Sequence, residues 1–295
     1  SVIADPLPRR HREITEGSAT FCDICNSSSS LFLYTKARQS YSMLHLILSL
    51  IFKQGRCFYM EKERKEEGRE EKKEGRGVRV KAGEVFDFLS ENPVIPGCTV
   101  SGELFGENGY SLISFSLASG TSISAESYDY PKLLYLLKGE IEVFKTDKSR
   151  WSLSPGEAFL IREYAPYGVR AGSDSVYLEF NFRKESAMNA VVKAGEVFKL
   201  KNLLPYQDGK IVNLDLLDEE RMKFVLMSFD EGTGLSEHSA PGEALVFALE
   251  GRAVIGYEGR EQEICEGESF HFAKNGRHFV KAKGRFKMAL LLSLG

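Results

Sequence analysis

Three histidines near the C-terminus are the side chains best suited to chemistry in this sequence. They are His238, His271 and His278, and residues 79–185 contain no histidine at all. An imidazole can bind a metal ion, transfer a proton near neutral pH, or bind a polar or anionic ligand. His271 lies between Phe270 and Phe272, which favours a structural role. His238 and His278 are therefore the first candidates for a functional site.

The overall composition excludes several classes of protein. The 295 residues include 39 Lys and Arg against 42 Asp and Glu, a net charge of −3, whereas nucleic-acid binding needs a basic face. No apolar run reaches the ~18 residues of a membrane span. Five scattered cysteines do not form a disulfide framework, which favours the cytoplasm. The Cys22-x-x-Cys25 motif lacks a second pair and carries little weight.

The first 78 residues differ in composition from the rest of the chain. Residues 61–76 comprise seven acidic residues, seven basic residues and two glycines, and such a segment cannot bury a core. We therefore interpret residues 1–78 as a leader that ends in a charged linker. Our hypothesis is that Met60 is the natural start and that residues 1–59 are an upstream extension.

An exact internal repeat organises the remaining sequence. Residues 80–86, Val-Lys-Ala-Gly-Glu-Val-Phe, recur letter for letter as residues 192–198, an offset of 192 − 80 = 112. A repeat of this length indicates a duplicated domain rather than a short solenoid unit. The sequence thus predicts an N-terminal domain over residues 79–188 and a C-terminal domain over residues 189–295.

Short β-type runs separated by turn residues fill both repeats. Val176–Phe182 and Lys223–Phe229 are two such runs, and Asn275-Gly276 is a typical turn. Many short strands with regular turns predict an all-β fold, a sandwich or a barrel. Leu133–Leu137 and Ala244–Leu249 are apolar on both strand faces. We expect such faces to be covered by the other domain or by a second copy of the chain in a homodimer.

Two sequence stretches resemble the motifs of the cupin superfamily. The first runs from His238 to Gly251, and the second from Gly267 to His278. Because the resemblance extends over both repeats, the chain is similar to a bicupin with degenerate motifs. The resemblance implies two tandem double-stranded β-helix (jelly-roll) barrels, each with a pocket inside.

The same resemblance implies a candidate metal site in the C-terminal domain. In the family the motifs supply three His and one Glu to one transition metal, here Fe, Mn, Ni or Zn. His238 and His278 match two of these ligands, whereas Ala240 and Ala244 stand at the other two positions. Glu243, one residue away, is the first candidate replacement ligand, and Glu237, His271 and Cys265 are further candidates. Ala240 and Ala244, together with His271, are expected to line an enlarged ligand pocket.

The N-terminal domain has lost every histidine of the motif. Glu126, Tyr128, Lys132 and Tyr167 occupy the four corresponding positions. Glu126, Lys132 and Tyr167 either form a polar ligand pocket or are a hydrogen-bonded network left by decay of the site. The second reading is preferred, so the C-terminal domain is expected to be the working one.

The sequence leaves three kinds of function open. The first is a metal-dependent enzyme with dioxygenase or isomerase chemistry, which the resemblance implies. The second is a non-catalytic protein that binds or senses a small molecule, and the third is a structural or storage protein. In each case the expected partners are small molecules or a second copy of the chain, not nucleic acid or membrane.

Overall fold

The computed structural model describes residues 78–162, 164 and 166–294. Most of the predicted leader, with Met60 and Cys22-x-x-Cys25, lies outside the described residues. The predicted all-β fold is confirmed, since the described residues form eighteen strands, one short α-helix and one 3-10 turn. None of the helices in this part of the chain combines the length and the apolar character needed to cross a membrane.

The N-terminal half contains strands β1 to β10 and helix α1. Helix α1 covers Phe88–Glu91 and begins at Asp87, whose carboxylate accepts a hydrogen bond of 2.9 Å from the Leu89 N–H. The strands are β1 Val85–Phe86, β2 Thr99–Glu107, β3 Tyr110–Leu117, β4 Ser122–Glu126, β5 Lys132–Lys138, β6 Ile141–Lys145, β7 Arg150–Leu153, β8 Glu157–Ile161, β9 Tyr167–Ala171 and β10 Ser175–Asn181.

The C-terminal half contains strands β11 to β18 and a 3-10 turn at Leu200–Asn202. Its two longest strands, β15 and β18, each belong to the main sheet and also pair with a strand of the second layer. The strands are β11 Val197–Lys199, β12 Ile211–Asp218, β13 Met222–Phe229, β14 Gly234–Ser239, β15 Glu243–Tyr257, β16 Arg260–Cys265, β17 Ser269–Phe272 and β18 Arg277–Ser293.

The two halves have the same strand topology. The main sheet of the N-terminal half has the order β11-β8-β5-β10-β3-β2, and that of the C-terminal half has the order β1-β17-β15-β18-β13-β12. The second layer pairs β4-β9-β6-β7 in the first half, while β14 pairs β18 and β16 pairs β15 in the other. Every strand of one half thus has a counterpart in the other, which agrees with the duplication seen in the sequence.

The first strand of each half belongs to the sheet of the other half. Strand β1 pairs antiparallel with β17, whereas β11 pairs with β8. These exchanged strands include Val85–Phe86 and Val197–Phe198, the ends of the two identical sequence segments. Because each half completes the sheet edge of its neighbour, neither edge stays unpaired at that position.

The two main sheets pack against each other through their apolar outer faces. One core cluster joins Leu133, Leu178 and Phe180 of the N-terminal half to Phe224 and Phe247 of the C-terminal half. The Phe180 ring centroid lies 5.0 Å from that of Phe224 and 5.7 Å from that of Phe247. The faces predicted to be covered are therefore covered within one chain. The inner face of each sheet is left to form its own core.

Candidate functional site

The two candidate sites lie at equivalent places in the two halves. Strands β4 and β9 pair Glu126 with Tyr167, and β14 and β18 pair His238 with His278. In both cases a register shift immediately precedes the pair. The strand pairing thus places Glu126 and Tyr167 where the C-terminal half carries its two histidines.

His238 and His278 lie side by side at the rim of the C-terminal core. Their ring centroids are 4.3 Å apart, and His278 stacks on Phe272 at 4.1 Å. Each Nδ1 lies 2.8 Å from a backbone carbonyl oxygen two residues earlier, at Ser236 and Gly276 respectively. A carbonyl oxygen only accepts hydrogen bonds, so each Nδ1 carries the proton and each Nε2 is left as the basic nitrogen.

The surroundings of His278 favour its neutral form. The side chain is buried, whereas His238 is exposed. Burial lowers the pKa of His278, the hydrogen bond to Gly276 opposes this shift, and the nearby charge of His238 adds to it. The pair is therefore one buried neutral imidazole beside an exposed one.

The structure engages Glu243, the predicted replacement ligand, in a different contact. Its carboxylate accepts a hydrogen bond of 2.8 Å from the Val78 N–H. Successive residues of a strand face opposite sides, and its neighbour Ala244 lies in the inner core. No group of three or more His, Cys, Asp or Glu side chains able to hold a metal occurs among the described residues. Two imidazoles fall short of the three or four protein ligands typical of such sites, so the described side chains alone do not complete the family's metal site.

His271 faces the same side as Glu243 and has a structural contact. Its Nδ1 lies 2.8 Å from the carbonyl oxygen of Val80, and its buried Nε2 has no hydrogen-bond partner among the described residues. Burial lowers the pKa of His271, which the hydrogen bond to Val80 and the charge of Glu243 oppose. His271 and Glu243 therefore hold the segment that leads into β1.

The expected pocket at Ala240 and Ala244 is also not formed at Ala244. Ala244 is 2% exposed and belongs to a core cluster with Phe270, Phe272 and Met288. Ala240 is half-buried, and its carbonyl oxygen accepts a 2.8 Å hydrogen bond from the Asn275 N–H. Large apolar side chains thus fill the space that the small alanines were expected to leave.

A cavity of about 270 Å³ lies instead in the N-terminal half. It includes all four residues at the motif positions of that half. The polar lining residues are Thr99, Ser101, Ser124, Glu126, Tyr128, Tyr130, Lys132, Tyr167, Glu179 and Asn181. The apolar ones include Ile113, Phe115, Ile123, Leu134, Ile161 and Val169. The interpretation of these residues as a decayed network is therefore incomplete, because they surround a space that a ligand could enter.

A buried ion pair forms one wall of this cavity. Lys132 Nζ lies 2.9 Å from Glu179 Oε1, and the two side chains are only 7% and 10% exposed. Lys132 lies on β5 and Glu179 on the neighbouring strand β10. The pair places one positive and one negative charge at the cavity surface with little access to bulk water.

Tyr128 links this ion pair to Glu126. The Lys132 ammonium lies 3.3 Å from the centroid of the Tyr128 ring, a cation–π contact. The Tyr128 hydroxyl donates a 2.5 Å hydrogen bond to Glu126 Oε2. Burial, and then the hydrogen bond and charge of Glu126, raise the pKa of Tyr128, so the phenol keeps its proton at neutral pH. Tyr130 lies beside it, with ring centroids 5.4 Å apart.

The positions that correspond to Lys132 and Glu179 are apolar in the C-terminal half. Lys132 pairs across the strands with Ile161 and Asn181, and its counterpart Ala244 pairs with Phe272 and Leu292. By the same register, Leu290 stands where the N-terminal half has Glu179. The fold thus accepts a closed apolar core at this place, and the N-terminal half has a polar cavity there because its residues differ.

Sequence reasoning missed Glu179 and Asn181, although a signal for them was present. Both lie in the apolar run Val176–Phe182, where they alternate with Leu178 and Phe180. A carboxylate at an inward position of a buried strand needs a partner. That pattern could have indicated that Lys132 faces a charge rather than solvent.

Comparisons with known proteins agree with this architecture. A family model described as "Cupin domain" matches residues 225–294. A solved structure, a cupin 2 conserved barrel domain protein from Leptotrichia buccalis, is 26% identical with a TM-score of 0.65. The match spans 73% of this chain and 99% of the Leptotrichia protein. These findings support the cupin superfamily.

Two further likenesses are weaker and carry no functional argument. A cupin superfamily protein from Desulfitobacterium hafniense is 22% identical with a TM-score of 0.36, and covers 37% of this chain and 99% of its own. A salicylate 1,2-dioxygenase from Pseudaminobacter salicylatoxidans is 8% identical with a TM-score of 0.48, and covers 63% of this chain and 71% of its own. A search of curated proteins found no match to the sequence.

Proposed function

We propose that this chain is a tandem cupin protein that binds a small organic molecule in the cavity of its N-terminal half. The tandem arrangement is supported by the equal strand orders of the two halves. It is also supported by the likeness to the Leptotrichia protein, which extends over 73% of the chain and so over more than either half.

The buried ion pair beside the cavity is the observation that carries this proposal. Taking both charges out of water costs several kcal/mol each, and replacing such a pair with well-packed apolar residues is often neutral or stabilising. The C-terminal half holds Ala244 and Leu290 at these two positions without any charge. Folding alone therefore does not require Lys132 and Glu179, and recognition of a ligand gives them a role.

The proposed site works without a metal ion. Glu126, Tyr128, Lys132 and Tyr167 occupy the positions at which the family carries its metal ligands, and one of them is itself a cation. A lysine ammonium has three N–H donors and no acceptor, so after its hydrogen bond to Glu179 it can still donate to an oxygen atom of a ligand. The Glu126 carboxylate, which already accepts the Tyr128 O–H at one oxygen, adds an acceptor.

A ligand-observed NMR fragment screen on the whole protein tests this proposal. Fragments should bind the wild-type chain and lose binding in Ile161→Phe, which copies the Phe272 ring of the C-terminal half and reduces the cavity. The matched control is Phe272→Ile, which changes the equivalent place in the other half and should leave the same fragments bound. Fragments that bind equally to wild type and Ile161→Phe would contradict the proposal.

A metal-dependent reaction in the C-terminal half is the second candidate. It is favoured by one observation, the neighbouring Nε2 atoms of His238 and His278, whose Nδ1 atoms are already hydrogen-bonded. Dioxygenase or isomerase chemistry would then need further ligands from solvent or substrate. Metal analysis of wild type and His278→Ala after loading with Fe, Mn, Ni or Zn decides it, since stoichiometric metal lost in the variant would support this candidate.

A further inference from the structure

The cavity surface carries a buried ion pair that disfavours ions of either sign next to it. Its walls carry the ammonium of Lys132 and the carboxylates of Glu126 and Glu179. An anionic group that reached Lys132 would also approach Glu179, which lies 2.9 Å from the ammonium. A cation that reached Glu179 would meet Lys132 in the same way.

The remaining polar groups suit a ligand whose own groups both donate and accept hydrogen bonds. Lys132 is a donor, Glu126 is an acceptor, and the Ser124 and Tyr167 hydroxyls can be either, whereas the Tyr128 O–H is already donated to Glu126. A hydroxyl group is the simplest ligand group that satisfies donors and acceptors alike. Several hydroxyl groups on one small molecule would satisfy this mixed surface without any net charge.

The rings and the size of the cavity restrict the shape of the ligand. The Tyr128 and Tyr130 rings lie on its wall 5.4 Å apart, and Phe115 adds a third aromatic surface. Such surfaces pack against the C–H face of a saturated ring. The volume of about 270 Å³ lies just below the ~300–1,000 Å³ of sites for drug-sized ligands. One ring with its hydroxyl groups fits this description, and two linked rings do not.

We propose that the N-terminal cavity takes an uncharged polyhydroxy ring of monosaccharide size. This inference rests on the proposed function, which makes the cavity the ligand site. Lys132 and Glu126 would hydrogen-bond ring hydroxyls at two points, and Tyr128 would contact the ring face. The buried Lys132–Glu179 pair would act as a filter that selects neutral sugars against their charged relatives.

Isothermal titration of the whole protein with the stereoisomeric aldopentoses and aldohexoses tests this inference. At least one neutral sugar should saturate the protein. Its uronate and its protonated amino sugar, with the same ring configuration, should each bind at least about tenfold more weakly. Tighter binding of either charged analogue would overturn the inference.

Two variants locate the binding and separate the two proposals. Lys132→Met/Glu179→Leu, which keeps an apolar wall as in the C-terminal half, should abolish sugar binding. The control Lys283→Met removes an exposed lysine of the C-terminal half and should leave binding unchanged. If no aldose binds but other fragments occupy the cavity, the inference is wrong and the proposed function stands. If nothing occupies the cavity, both fail.

Discussion

Removing Lys132 alone should destabilise the protein, whereas removing the whole ion pair should not. Lys132→Met leaves the Glu179 carboxylate, which is 10% exposed, without its 2.9 Å partner. Breaking a buried pair in this way costs about 3–5 kcal/mol. The adjacent cavity admits water to the orphaned carboxylate, so we expect a loss near the lower limit, about 3 kcal/mol.

The double variant Lys132→Met/Glu179→Leu provides the matched comparison. It replaces both charges with apolar side chains, as the C-terminal half does with Ala244 and Leu290. We expect its free energy of unfolding to lie within about 1 kcal/mol of wild type, or above it. The coupling energy is the change in the double variant minus the changes in the two single variants, so its magnitude should be at least about 2 kcal/mol, and larger by whatever Glu179→Leu costs alone.

Urea unfolding of wild type, both single variants and the double variant measures this cycle. Near-UV circular dichroism of each variant checks that the fold is retained. A Lys132→Met variant as stable as wild type would refute the reasoning, because it would mean that the pair is already hydrated. A double variant as unstable as Lys132→Met would also refute it, because removing the second charge would then restore no stability.

Three further predictions follow from other parts of the structure. Phe180→Ala should lower the free energy of unfolding by about 3–5 kcal/mol and leave a single unfolding transition in calorimetry, because Phe180 is 2% exposed between the two halves. Since burial lowers the pKa of both His271 and His278 below the unfolded value of 6.5, the unfolded state takes up protons first as the pH falls. The stabilising contribution of the two neutral histidines should therefore be fully present above pH 6.5, and the free energy of unfolding should decrease below that pH. In chemical unfolding, His278→Gln should make this decrease between pH 7 and 5 less steep. Sugar binding measured by titration should be unchanged after EDTA treatment, and a loss of binding would contradict a metal-free site.

The repeat and the motif positions were predictable from the sequence because they depend on spacing along the chain. The offset between the repeats places Glu126 and Tyr167 opposite each other, as His238 and His278 are, and the strand register agrees. The all-β fold followed from the alternation of short apolar runs with turn residues. These features need only local patterns and one duplicated segment.

The location of the cavity was not predictable in the same way, because it depends on contacts between distant strands. Lys132 and Glu179 are far apart in the chain and meet only across β5 and β10. Likewise, the motif suggested Glu243 as a ligand, but the alternation along β15 turns its side chain to the opposite face. The exchange of β1 and β11 was also hidden, since two identical segments do not indicate which sheet each will join.

A crystal structure of the protein soaked with its best-binding fragment or sugar tests the central claim most directly. We expect density in the N-terminal cavity, with a ligand oxygen within hydrogen-bond distance of Lys132 Nζ or the Glu126 carboxylate. Density confined to the C-terminal half, beside His238 and His278, would contradict it.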